Sequence, residues 1–203
     1  MLSNLWAWVV VMGLCCSQTA WAVMAEKEID SSVIFRTGLL SMAKKGAITE
    51  NTTNMTNGSL ELTRYFKRDL GFTIGYRLAQ DSTTGRSIYQ AGFAGVRIFP
   101  MSLGTPVRST REGSLVNYDF MLKPYVEAGG SIGRIFLTVI GTSGIGEFSS
   151  EYYGINVGGG SFVRITDRFA LDLNATMEQA LGFGPINFQS SNLLARMGVL
   201  YFF

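Results

Sequence analysis

Along most of this chain every second residue is apolar. In residues 169–180, FALDLNATMEQA, Phe169, Leu171, Leu173, Ala175 and Met177 share one face, and Ala170, Asp172, Asn174, Thr176 and Glu178 share the other. Side chains alternate across a strand, so a period of two predicts a two-faced β-strand. A helix would gather Leu171, Ala175 and Glu178 and spoil both faces. The same period recurs over 70–80, 122–133, 153–165 and the run from Leu193 to Phe203, and more weakly over 33–44 and 88–99. Residues 60–67 are ambiguous, because Arg64 shares a face with Leu60, Leu62 and Phe66. Either Arg64 snorkels at an interface or a bulge shifts the register. Eight strands result.

The connections alternate in character. KRD (67–69) and TDR (166–168) read as tight turns, and 46–58, 81–87, 137–150 and 181–191 as longer polar loops. The stretch 100–119 is long where a short turn is expected; with Arg108 and Arg111 it reads as a solvated linker. NTTNMTNGS (51–59) carries three N-x-[ST] triplets and reads as a polar loop closing in an Asn57-Gly58 turn rather than a glycosylated one. GTSGIGE (141–147) lacks any phosphate-loop or dinucleotide context and reads as a mobile exposed loop. No domain boundary is visible.

Alternation does not say which face points inward: a soluble barrel buries its apolar face, whereas a membrane barrel turns it to lipid. Three features favour the membrane. The polar faces are rich in glycine (Gly71, Gly75, Gly129, Gly133, Gly154, Gly158 and Gly160), which costs stability on a solvated strand but makes room inside a narrow barrel. The same faces carry Arg36, Arg77, Arg97, Lys123, Glu127, Arg164, Asp172, Glu178 and Arg196, of mixed sign and suited to pairing in a lumen. Phe72, Tyr76, Phe99, Phe120, Tyr152, Tyr153, Phe169, Tyr201 and Phe203 lie near strand ends, as interfacial girdles require. Strands of about 9–11 residues suffice to cross. The fold class expected is all-β, an eight-stranded antiparallel transmembrane up-and-down β-barrel.

Residues 1–22 contain no charged side chain; an apolar run from Leu5 to Leu14 leads to Ala20-Trp21-Ala22, an A-x-A cleavage pattern. A signal peptide over 1–22, cleaved after Ala22, followed by a barrel domain over 23–203 is the expected organisation. An uncleaved anchor is the competing reading, since the segment lacks Lys and Arg. Both cysteines, Cys15 and Cys16, lie in this segment, and the chain has no histidine. No Ser-His or Asp-His arrangement is therefore available for catalysis, and transition-metal ligation is poorly served; calcium on loop oxygens stays open. The expectation is no catalytic, cofactor or metal site. Net charge is only +2, with no broad basic patch interleaved with aromatics, so no nucleic-acid partner is expected.

The stretches KPYVEAGGSIGR, YYGINVGGGSFVRITDRFALDLNATME and LLARMGVLYFF resemble small bacterial outer-membrane barrels of the OmpA-barrel, OmpX and OmpW group, over most of residues 30–203. The terminal alternation Met197, Val199, Tyr201, Phe203 resembles the signal read by the barrel-assembly machinery. The resemblance implies a Gram-negative outer membrane, contact with its lipid and lipopolysaccharide, and the assembly machinery as a partner during biogenesis. An even strand count puts both ends of the mature chain on the periplasmic side. It further implies a monomer with a structural or surface-interaction role, its loops open to a host or surface ligand. The alternative is an OmpW-like channel for small or hydrophobic solutes. The enzymes among small outer-membrane barrels rely on histidine, so an enzyme is not expected.

Overall fold

In the computed structural model, residues 28–46, 51–67, 69–81, 87–101, 105–110, 113–117, 121–141, 144–166, 168–183 and 187–203 are described. The strands are β1 (Glu28–Ile29), β2 (Ser31–Gly46), β3 (Asn51–Lys67), β4 (Leu70–Asp81), β5 (Ile88–Ile98), β6 (Thr105–Thr110), β7 (Gly113–Asn117), β8 (Leu122–Gly141), β9 (Gly144–Arg164), β10 (Phe169–Phe183) and β11 (Phe188–Phe202). Eight of them close an antiparallel barrel in the order β2-β3-β4-β5-β8-β9-β10-β11, with β11 returning to pair β2 from Phe188–Gly46 to Phe202–Ser32. Each barrel strand pairs with its neighbours in sequence, so the topology is up-and-down.

The outer face is apolar and the inner face holds charge. Leu39, Ile132, Ile155, Leu173 and Met197 are each more than half exposed, whereas Arg36, Arg97, Asp172 and Glu178 are buried. Soluble monomers rarely expose apolar patches beyond a few hundred Å². A continuous apolar belt around a charge-filled cylinder is the surface of a membrane-spanning barrel.

Several sequence expectations change. The barrel strands run from 11 to 21 residues, most of them longer than a crossing needs. Residues 51–59 are not a loop: they are the first half of β3, and Gly58 pairs with Thr37 and Leu78 rather than turning. The expected loop 137–150 is mostly strand, because β8 and β9 pair as far as Gly141–Gly144, which also removes most of the exposed loop read at 141–147. The loop 181–191 shrinks likewise, since β10 runs to Phe183 and β11 starts at Phe188. Pairing of β8 with β5 ends at Phe136–Ile88, and that of β9 with β10 at Glu151–Phe183. Among the described residues, the remainder of the β8–β9 hairpin therefore stands beyond the rim as a two-stranded ribbon.

The stretch 100–119 is not a plain linker either. It contains the β6–β7 hairpin, and β7 pairs with β1 through Glu28–Asn117 and Ile29–Val116. This small sheet, ordered β1-β7-β6, lies at the end of the barrel where β2 begins and β11 ends. Arg64 is on the outer face and exposed, and an irregularity in the β3–β4 register follows it between Tyr65 and Lys67. The register irregularity posed for this strand therefore occurs, just after Arg64. Ala20, Ala22, both cysteines and Phe120 lie outside the described residues.

Inward glycines face large inward side chains on the next strand. Tyr125 pairs with Gly160, and a Cβ on Gly160 would meet the Tyr125 hydroxyl at 2.5 Å and the Leu173 carbonyl oxygen at 2.2 Å. Phe93 pairs with Gly75, where a Cβ would lie 2.5 Å from the Phe93 ring and 2.7 Å from the Leu60 carbonyl oxygen. The missing Cβ atoms let these rings lie flat across the neighbouring strand, which narrows the barrel and fills it.

Two outcomes are expected. Unboiled protein should migrate in SDS gels as a compact band distinct from the boiled one, because a closed sheet with no free edge resists the detergent. Gly160→Val should lose about 1–3 kcal/mol in urea unfolding from liposomes, since a backbone oxygen blocks relaxation.

Candidate functional site

The lumen is organised in layers. At the end bearing the β1-β7-β6 sheet, Ile34, Tyr65, Phe99, Phe162, Leu200 and Phe202 form a buried apolar cluster. A second cluster toward the opposite rim includes Leu40, Met42, Met55, Tyr89, Ile135 and Leu194. Phe99 and Tyr152, expected in the outer girdle, lie inside: each is at most 1% exposed. Their ring contacts explain the placement. Phe99 packs 6.0 Å from Tyr65 and 5.7 Å from Phe162, and Tyr152 stacks 5.0 Å from Tyr89. The interior is therefore not purely polar.

Between these clusters lies an ionic network. Arg36 on β2 donates from Nε to Asp172 on β10, from Nη1 to Glu61 on β3 at 2.5 Å, and from Nη2 to the Tyr125 hydroxyl on β8 at 2.8 Å. Tyr125 in turn donates to Asp172 at 2.7 Å. Arg97 on β5 reaches Glu61 at 3.1 Å and Glu127 on β8 at 2.9 Å, and its guanidinium lies 4.6 Å from the Tyr125 ring centre. Arg196 on β11 bridges Glu61 at 3.3 Å and Glu127 at 3.4 Å, and donates to Asn174 Oδ1 at 2.6 Å. Asn174 and Thr176 each donate to Glu127. Arg36, Arg97 and Arg196 thus face Glu61, Glu127 and Asp172, and formal charge cancels.

A second network sits nearer the rim. Glu178 on β10 accepts from Arg77 on β4 at 2.6 Å, from Ser131 on β8 at 2.9 Å and from Asn192 on β11 at 2.9 Å, and also from the Tyr89 hydroxyl on β5. The Arg77 guanidinium lies 5.4 Å from the Tyr89 ring centre and 5.6 Å from that of Phe93. A cavity of about 20 Å³ between the two networks is bordered by Arg77, Glu127, Asn156, Thr176 and Arg196. That is room for a single water.

Of the nine expected lumenal residues, the first network holds Arg36, Arg97, Glu127, Asp172 and Arg196, and the second Arg77 and Glu178. Lys123 and Arg164 are buried toward the β1-β7-β6 end, where Lys123 donates to the Met101 carbonyl at 3.3 Å. Sequence reasoning missed Glu61, which pairs with three arginines. Its signal was present: Glu61 alternates with Leu60 and Leu62, so it belongs to the inner face of β3. Among the described residues no group of acidic or other ligating side chains is arranged to hold a metal ion. Met197 and Val199 lie on the outer face of β11 beside Leu171 and Leu173 of β10, and Tyr201 packs between Phe169 at 5.1 Å and Phe203 at 5.4 Å.

The architecture is that of small outer-membrane β-barrels. The chain is similar to neisserial surface protein A, with a TM-score of 0.58 and 14% identity over 84% of this chain and 97% of that one. It is also similar to the N-terminal β-barrel domain of OprF from Pseudomonas aeruginosa, with a TM-score of 0.50 and 17% identity over 87% of this chain and all of that domain. No protein-family model and no curated protein matches the sequence.

Removing one partner from a buried network leaves charge uncompensated. Glu61→Gln should therefore cost about 3–5 kcal/mol in urea unfolding, against less than about 1 kcal/mol for breaking the exposed Arg134–Glu151 pair with Arg134→Gln.

Proposed function

We propose that this protein is a non-enzymatic barrel of the Gram-negative outer membrane. Its interior is a sealed support, and its function lies in what the rim opposite the β1-β7-β6 sheet presents to the surroundings. The observation that carries this reading is the filled lumen: an apolar cluster at each end and a charge-balanced network between them, tied across β2, β3, β5, β8, β10 and β11. Such an interior stiffens the cylinder. Four lumenal carboxylates, Glu61, Glu127, Asp172 and Glu178, are each engaged by an arginine, which leaves them poorly placed for acid–base work.

In this reading the β8–β9 ribbon projects outward as the largest surface feature and is the natural contact for a host or surface ligand. One of the similar barrels named above is called a surface protein. Both chain ends face the periplasm, lipid and lipopolysaccharide surround a monomer, nucleic acid plays no part, and the assembly machinery reads Met197, Val199, Tyr201 and Phe203. The segment ending at Ala20 and Ala22 directs export and is removed.

Refolded protein in planar bilayers should show no stable conductance. Steady single-channel openings, abolished by bulky substitution at Gly129 or Gly158, would overturn the sealed-lumen reading in favour of a channel for small or hydrophobic solutes.

A further inference from the structure

A bulge near the end of β3 changes which face its last residues present. Arg64 pairs with Phe72 and Tyr65 with Gly71, and then Lys67 pairs with Leu70, so Phe66 is an extra residue with no partner on β4. Arg64 and Lys67 are three positions apart, which a regular strand would put on opposite faces. With Phe66 inserted they share the outer face. Residues directly opposite each other lie on one side of a sheet, and Phe72 and Leu70 both belong to the outward set of β4. Arg64, Phe66 and Lys67 are all exposed, whereas Tyr65 among them is buried in the apolar cluster at this end.

The setting is the edge of the apolar belt. Leu62, Phe66 and Phe72, exposed by 44%, 43% and 41%, flank Arg64 with hydrocarbon-facing surface. A cation on the lipid face is tolerated where its long side chain can lie along the wall and bring its head to the headgroup layer. Lys67, the last residue of β3, adds a second cation on the same face at the turn. The turn contributes one described carboxylate, Asp69, so the pair keeps a positive excess.

We infer that this end of β3 binds one anionic glycerophospholipid, its phosphate held by Arg64 and Lys67 and its acyl chains lying on Leu62, Phe66 and Phe72. Charge complementarity selects that occupant. The guanidinium fork and the ammonium both suit phosphate oxygens, whereas a zwitterionic lipid would bring its own ammonium against two cations. The inference rests on the proposed orientation, in which this end of the barrel meets the periplasmic leaflet.

The test is native mass spectrometry of the mature protein released from nanodiscs of equal parts phosphatidylethanolamine, phosphatidylglycerol and cardiolipin. One retained anionic lipid, phosphatidylglycerol or cardiolipin, is expected in preference to phosphatidylethanolamine. The double variant R64Q/K67Q should cut its retention about tenfold, and R64K/K67R, which keeps both charges, should restore most of it. Arg168→Gln removes an exposed cation beside Tyr201, beyond the β2–β11 seam, and should leave retention unchanged. Unchanged heat-modifiable mobility in each variant would show that the barrel is intact. Equal retention of the three lipids, preference for phosphatidylethanolamine, or retention indifferent to R64Q/K67Q would each overturn the inference. Symmetric nanodiscs offer every lipid to both ends, so this result does not depend on orientation. Orientation is read separately: Asp69→Cys should react with a membrane-impermeant maleimide only after the outer membrane is permeabilised, and labelling in intact cells would overturn the leaflet assignment.

Discussion

Buried arginines must be neutralised where they stand, and this requirement organises the barrel. A guanidinium cannot shed its proton in the interior, so each one needs carboxylates and hydroxyls delivered from other strands. Glu61 and Glu127 together serve Arg36, Arg97 and Arg196, and Asp172 completes the set for Arg36. Because these partners come from six different strands, their positions fix the register around the whole cylinder. A slip of one residue on β10 would carry Asp172 and Glu178 to the lipid side, at a cost of up to a few kcal/mol each near the midplane. Glycines support the same end by letting Tyr125 lie against β9 at Gly160, where its hydroxyl links Arg36 to Asp172.

The sequence disclosed the barrel wherever lipid imposes alternation. Phe169 to Met177 reads cleanly because one side of β10 meets hydrocarbon and the other meets Arg36 and Arg77 through Asp172 and Glu178. Legibility fails beyond the bilayer. Residues 51–57 of β3 are polar apart from the inward Met55, so too little period survives and a strand resembles a loop. It fails again for Phe99, just past the end of β5, and for Tyr152 within β9, which point inward but were read as girdle residues. Glu61 was hidden by Arg64, which confused the parity of its strand although the irregularity follows it. The shared face of Arg64 and Lys67 was hidden in the same way, since their spacing disagrees until Phe66 is seen to be extra.

The pairing of β1 with β7 left still less trace. Two residues near the start of the described chain join a hairpin some ninety positions later through backbone hydrogen bonds alone. Backbone pairing has no residue code, and the short strands β6 and β7 are too brief to show a period. The outcome is a small sheet at the terminal end, built from a segment whose composition suggested only a solvated link.

The seam between β2 and β11 joins the barrel strands most distant along the chain. Arg36 and Arg196 stand on the two sides of that seam, and both depend on Glu61, so the central network is incomplete until the cylinder shuts. An open sheet would present these guanidiniums with part of their counter-charge and an unpaired edge. Closure of the cylinder and full neutralisation of the central network therefore depend on one another. The seam has the character of a latch: its ion pairs are complete only in the locked tube.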